Sequence, residues 1–128
     1  MTINALHVLD TDIFREHLLR YTKKAYRMLP QIKNPIILDI GCGSGVPTIE
    51  LAKLSKGKII AIDTNQILLN KLNKKINKDG LSKQVTTKNQ SILNMDFPVE
   101  SFDIIWAEGA VNAIGFEIGL KELRRLLK

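Results

Sequence analysis

Between Asp12 and Leu29 the apolar residues Phe14, Leu18, Tyr21, Ala25 and Met28 recur at steps of three and four, with basic residues between them. That spacing predicts an amphipathic helix. Asp10, Thr11 or Asp12 can cap its start, and Pro30 with Pro35 ends it and begins a short linker. The pattern then changes: Ile36-Ile37-Leu38-Asp39-Ile40 is a short, β-branched run closed by Gly41-Cys42-Gly43-Ser44-Gly45, which predicts a buried strand and a tight turn. A helix from about Pro47 to Leu54 follows, since proline suits the first helical position and Gly57 can terminate the element. Lys58–Asp63 reads as a second strand and Asn65–Lys78 as a second helix after the turn, with Ile67, Leu68, Leu72 and Ile76 toward the sheet and Gly80 closing it. Val85–Asn89 is a weaker third strand, Phe102–Ala107 a fourth, and Phe116–Leu127 a final helix whose apolar face is Leu120, Leu123, Leu126 and Leu127. Strands alternating with helices predict an α/β fold, a mainly parallel sheet covered by helices and joined by right-handed crossovers. Residues 1–34 are expected to form an N-terminal helical segment and residues 35–128 the α/β body.

Composition narrows the class. A chain of 128 residues, 45% hydrophobic and 25% charged, fits one domain with one core. Apolar runs such as Ile36–Leu38 and Ile59–Ile62 fall far short of the roughly 18 to 20 residues of a membrane-spanning helix, so no membrane-embedded protein is expected. Met1–Asp10 lacks the order of charged segment, apolar core and small-residue cleavage site of a secretory signal, and the single cysteine, Cys42, cannot form an intrachain disulfide. Both favour a cytoplasmic location. The net charge of +6 gathers at Arg15, Arg20, Lys23, Lys24 and Arg27, and again at Lys71, Lys74, Lys75, Lys78, Lys83 and Lys88. Each group falls on a predicted amphipathic helix or the loop after it, and the second has no aromatic residue that could stack on bases, so both read as solvated basic faces. A nucleic acid or other anionic partner is the alternative.

The glycine turn carries the chemistry. Glycines at the carboxyl end of a strand let backbone approach a ligand closely, beside the start of the next helix. Gly41-x-Gly43-x-Gly45 departs from the dinucleotide fingerprint, whose third glycine would fall at Val46, and no Lys-Ser or Lys-Thr follows as in a phosphate-binding loop. Asp39 just before the turn would repel a pyrophosphate but attract an ammonium or sulfonium group. Asp63, 24 residues beyond Asp39 and at the end of the second strand, is placed to accept from two ribose hydroxyls. The alternative for Asp63 is a cap on the following helix. The ligand described has a ribose, positive charge near the turn and no phosphates.

In this light Ile37-Leu38-Asp39-Ile40-Gly41-Cys42-Gly43-Ser44-Gly45 resembles the first motif of class I S-adenosylmethionine-dependent methyltransferases, and Ala61-Ile62-Asp63 the acidic motif that follows it. Ser91-Ile92-Leu93-Asn94-Met95-Asp96-Phe97 resembles the family's segment after the third strand, and Ser101-Phe102-Asp103-Ile104-Ile105 its fourth-strand motif. The ending Leu120–Lys128 resembles the helix that leads into a Pro-Gly-Gly turn. The resemblance runs from about Tyr21 to Lys128 and is closest to the branch of the ubiquinone and menaquinone methyltransferases.

The resemblance implies a Rossmann-like fold and S-adenosylmethionine as cofactor. Gly41, Cys42, Gly43 and Ser44 would lie against its methionine part, with Asp39 helping to hold the amino group and Glu108 nearby past the fourth strand. Asp63 would take the ribose, Thr64 would sit beside the adenine, and Ser91 and Ile92 would line its other side. Two positions depart from the family: Ser91 stands where an aspartate is common, and Asp96 where a proline is usual. Methyl transfer needs neither a triad nor a metal cluster, since the sulfonium already activates the methyl; alignment and exclusion of water can supply roughly 7 to 11 kcal/mol. No residue is assigned as general base. Cys42 reads as a small turn residue, His7 and His17 as surface residues, and Trp106 as core.

The resemblance also implies strand order 3-2-1-4 and a fold truncated after the fourth strand and its helix, since family members continue into a fifth strand and an antiparallel pair. The edge of Phe102–Ala107 is then expected to be open, to a second copy or a completing chain. The expected function is methyl transfer to a small-molecule acceptor; the alternative is a noncatalytic cofactor-binding or interaction module.

Overall fold

The computed structural model describes residues 12–108 and 116–128. Four parallel strands, β1 (Ile36–Ile40), β2 (Lys58–Asp63), β3 (Val85–Asn89) and β4 (Ile104–Ala107), form one sheet in the order β3-β2-β1-β4. The register sets Leu38 between Ile60 of β2 and Ile105 of β4, so β1 is the central strand and its side chains are buried on both sides. Around the sheet lie helices α1 (Leu19–Met28), α2 (Val46–Ser55), α3 (Gln66–Lys78) and α4 (Phe116–Leu126).

Because strand side chains alternate, β1 feeds two separate cores. Ile37 joins Ile59, Ala61, Val85 and Ile104 against Leu51 of α2, Leu69, Leu72 and Ile76 of α3, and Tyr26 of α1. Leu38 and Ile40 join Ile62, Phe97 and Phe102 against Leu123 and Leu126 of α4. Phe97 and Phe102 meet edge to face, 5.2 Å between centroids. The parallel sheet and the predicted strand order are therefore both present, and the order reverses beside β1, where α/β proteins bind ligands.

Several boundaries and faces differ from the sequence reading. The predicted Asp12–Leu29 helix is interrupted at Leu18, giving helical residues 12–17 and then α1. Its buried side chains are Asp12, Thr22 and Tyr26, whereas Phe14, Tyr21 and Met28 of the apolar stripe are exposed. The reason is that α1 packs on α2, and its Thr22 side reaches Glu108 at the end of β4. On α3, Leu69 is buried in place of Ile67, which is exposed. β4 begins at Ile104; Phe102 instead forms an isolated parallel bridge with Leu127. Leu120 and Leu127 are exposed, and Leu123 and Leu126 hold α4 to the sheet. Asp10, Thr11 and His7 lie outside the described residues, while His17 is exposed, as expected.

Candidate cofactor-binding site

Positive φ angles at Gly41 (66°), Gly43 (56°) and Gly45 (83°) let the chain turn sharply from β1 into α2, a path that L side chains seldom follow. Gly45 is required twice over, because a Cβ there would stand 2.1 Å from Leu72 Cδ1 of α3. The turn is held to its neighbours by backbone bonds: Cys42 N–H donates to Ile62 O (3.0 Å) and Gly45 N–H to Cys42 O (3.0 Å). Asp63, at the end of β2, adds a carboxylate clamp. Its Oδ2 accepts from Gly43 N–H and its Oδ1 from Asn65 N–H, each at 2.8 Å. The side-chain cap of α3 is Asn65, whose Oδ1 accepts from Leu68 N–H (3.2 Å). A carboxylate has about four acceptor positions, so Asp63 keeps two for a ligand.

Beside this clamp is a pocket of about 250 Å³ lined by Ile40, Gly41, Ile62, Asp63, Thr64, Gln90, Ser91 and Ile92. It brings together Gly41, Asp63, Thr64, Ser91 and Ile92 from the ends of three strands. Ser91 Oγ accepts from Leu93 N–H (3.1 Å) and so caps the short 3-10 turn Ile92–Asn94. Gln90 was not singled out from the sequence. It follows β3 directly, its Nε2 donates to Asp96 Oδ1 at 2.6 Å, and its Oε1 is buried with no partner among the described residues. Its position at a strand's carboxyl end was the one signal available.

The remaining predicted residues have other immediate partners. Asp39 is 3% exposed, and its Oδ2 accepts from Thr48 of α2 at 2.6 Å. Burial pushes its carboxyl up to about 7; the Thr48 hydroxyl opposes this, Glu108 adds to it, Arg15 opposes it, and Asp63 adds to it. Cys42 is buried, and burial followed by the negative charges of Asp39 and Asp63 pushes its thiol up, so it remains a thiol and not a nucleophile. Ser44 is buried and its hydroxyl donates to Asp12. Glu108 Oε1 accepts from Thr22 (3.0 Å) and from Trp106 Nε1 (2.8 Å), which ties α1 to the end of β4. Cys42 and Ser44 thus present backbone, not side chains, to any ligand on the turn.

Comparison with known proteins places this geometry. The sequence profile of the methyltransferase domain matches residues 37–128. The chain belongs to the methyltransferase domain family. A demethylmenaquinone methyltransferase from Lactobacillus johnsonii is 33% identical over 111 residues, covering 84% of this chain and 46% of that protein. A sterol 24-C-methyltransferase from Aspergillus fumigatus is 31% identical over 93 residues, 72% of this chain and 25% of its own length. Among solved structures, an S-adenosylmethionine-dependent methyltransferase from Aquifex aeolicus superposes with a TM-score of 0.73 at 26% identity, covering 84% of this chain and 58% of that one. This methyltransferase domain therefore spans half or less of the curated relatives described.

The residues present fit the family's cofactor. Asp63 offers unfilled acceptor positions to a ribose diol, the pocket walls Ile40, Ile62 and Ile92 are apolar as a purine requires, and among the described residues no basic side chain lines the pocket to meet a phosphate. Two predicted basic faces also prove less free than their sequence suggests: Lys71 and Lys75 pair with Asp12, and Lys23 with Glu50.

Proposed function

We propose that this methyltransferase domain binds S-adenosylmethionine at the carboxyl ends of β1, β2 and β3 and belongs to an enzyme that methylates a small-molecule acceptor. The observation that carries the reading is the pocket between Gly41, Asp63 and Ser91, with a carboxylate that already clamps the glycine turn and still has acceptor capacity. When bound, the cofactor supplies an electrophilic methyl on a sulfonium. The chain's own residues bind and orient: Asp63 accepts from the ribose hydroxyls, Ile62, Thr64, Ser91 and Ile92 enclose the base, and the backbone of Gly41–Ser44 borders the methionine part. Asp39, buried close to the turn, favours positive charge there through its field. The names of the relatives, a sterol and a demethylmenaquinone methyltransferase, support a small organic acceptor. A cytoplasmic location is part of the same proposal, supported by the buried free thiol of Cys42.

Calorimetric titration tests it. S-adenosylmethionine should bind and NAD should not, and Asp63→Ala should weaken binding by about 1.5 to 3 kcal/mol, the range for a hydrogen bond to a charged group. Binding of NAD with no response to S-adenosylmethionine overturns the reading. An unchanged dissociation constant with a lowered melting temperature would leave Asp63 as a clamp on the turn alone.

The second reading, a noncatalytic cofactor-binding or interaction module, is favoured by the outer edge of β4, which pairs with no further strand among the described residues. Along the outer edge of β4 runs an apolar groove of about 540 Å³, lined among others by Ala25, Leu29, Ile32, Trp106 and Leu127. Self-association or a completing chain at that edge is part of the proposal. Methyl-transfer assays over a panel of acceptors separate enzyme from module.

A further inference from the structure

Asp12 stands far from the motifs in sequence, yet its carboxylate is buried against the glycine turn. It accepts from the Ser44 hydroxyl, and it pairs with Lys71 Nζ at 2.7 Å and Lys75 Nζ at 3.0 Å, both from α3. Lys75 Nζ also donates to the Ser44 carbonyl at 3.0 Å. Ser44 is therefore gripped at its hydroxyl and its carbonyl by one charged cluster, while the adjacent Gly43 N–H is gripped by Asp63 at 2.8 Å. A turn with three positive-φ glycines is free to adopt many other conformations, so external restraint decides which one is kept.

We propose that Asp12 is a positioning residue for the cofactor turn: with Lys75 it fixes Ser44 from outside, as Asp63 fixes Gly43 from inside. This rests on the cofactor reading given above for Gly41–Ser44. Charge gives the cluster a second effect. Asp12 offsets two lysines, and without it neither cation has an acidic partner among the described residues, beside a turn that must border a cationic sulfonium. The loss then falls more heavily on S-adenosylmethionine than on S-adenosylhomocysteine, which has no sulfonium charge.

Three variants of the full chain test this: Asp12→Ala removes the acceptor and the charge, Asp12→Asn keeps an acceptor for Ser44 and removes the charge, and Lys75→Met removes the carbonyl contact. Amide hydrogen exchange at Gly43, Ser44 and Gly45 is followed beside that of Ile59–Ile62 in β2, and both cofactor forms are titrated by calorimetry. In Asp12→Ala the turn amides should exchange at least about tenfold faster with the β2 amides unchanged, and S-adenosylmethionine should bind about tenfold more weakly, the consequence of losing one charge-assisted contact. Asp12→Asn should recover most of the turn protection but retain the selective loss for S-adenosylmethionine. Turn exchange unchanged in Asp12→Ala, or accelerated equally in β2, overturns the proposal. If the unsubstituted chain binds neither cofactor form while Asp12→Ala still loosens the turn alone, the cofactor reading fails and the grip of Asp12 on the turn stands.

Discussion

Near the end of β1, Asp39 is a buried acid on the α2 side of the sheet, with one hydroxyl donor from Thr48 and with Glu108 and Asp63 as negative neighbours. Its carboxyl rises from an ordinary 3.8 to about 7 in the folded state. Since the folded chain holds this proton more tightly than the unfolded chain, Asp39's contribution to stability is fully present below about pH 4 and is lost as pH rises to about 7. Within that window the slope is about 1.4 kcal/mol per pH unit. Ligand binding has the opposite sign, because a positive charge at the turn favours ionised Asp39 and must expel a proton at lower pH. The expected outcome is tighter S-adenosylmethionine binding as pH rises from 6 to 8. Asp39→Asn, which can still accept from Thr48, should flatten both dependences, read by urea denaturation and by titration calorimetry. Persistence of both slopes in Asp39→Asn would assign them to other groups. The chemistry of Asp39 and Asp63 was legible because each lies at or next to the carboxyl end of a strand, so sequence position alone put it near the ligand face. Asp12 was not, since its partners Ser44, Lys71 and Lys75 meet it only through the packing of separate elements, and Gln90 was not, since an uncharged amide after a strand does not stand out by residue type.

The helices show where pattern alone stops. On α3 the three-and-four spacing counted back from Ile76 through Leu72 reaches Leu69, which is buried, whereas Ile67 stands five residues before Leu72 and is exposed. On α1 the apolar stripe is the exposed side, and the side that packs on α2 carries Thr22 and Tyr26. Polar Thr22 is accepted there because its hydroxyl donates to Glu108. Between turn and α3 the fit is tight enough to test. Gly45→Ala should cost about 2 to 4 kcal/mol, combining left-handed strain with overpacking against Leu72. Leu72→Ala alone leaves a cavity and should cost about 2 to 5 kcal/mol. The pair should cost clearly less than the sum, because the small side chain at 72 makes room for the Cβ at 45. Additive losses in urea denaturation would show that the contact at Gly45 is relieved in another way.

Across the whole molecule, the open edge and the unpacked stripe belong to one surface. Ile104–Ala107 has β1 on one side; on the other, among the described residues, the only strand-like contact is the Phe102–Leu127 bridge at the base of β4. The groove along that edge includes Ala25 and Leu29, and the same helical segment exposes Tyr21 and Met28 at 55% and 77%. An unpaired strand beside exposed apolar side chains favours addition of another chain, which would satisfy the edge and cover the stripe together. The net charge of +6, with Arg20, Lys24 and Arg27 along the same segment, opposes the approach of a second copy. Screening weakens that repulsion, with a Debye length of about 10 Å at 0.1 M salt. Self-association should therefore grow with both protein concentration and salt. Light scattering coupled to size-exclusion chromatography, over a tenfold concentration range at low and high salt, reads the mass directly. Tyr21→Ser with Met28→Ser should lower the association without loss of fold, since both side chains are exposed in the single chain. A monomer mass that depends on neither concentration nor salt, with cooperative unfolding, would show that the four-stranded unit tolerates its open edge unaided.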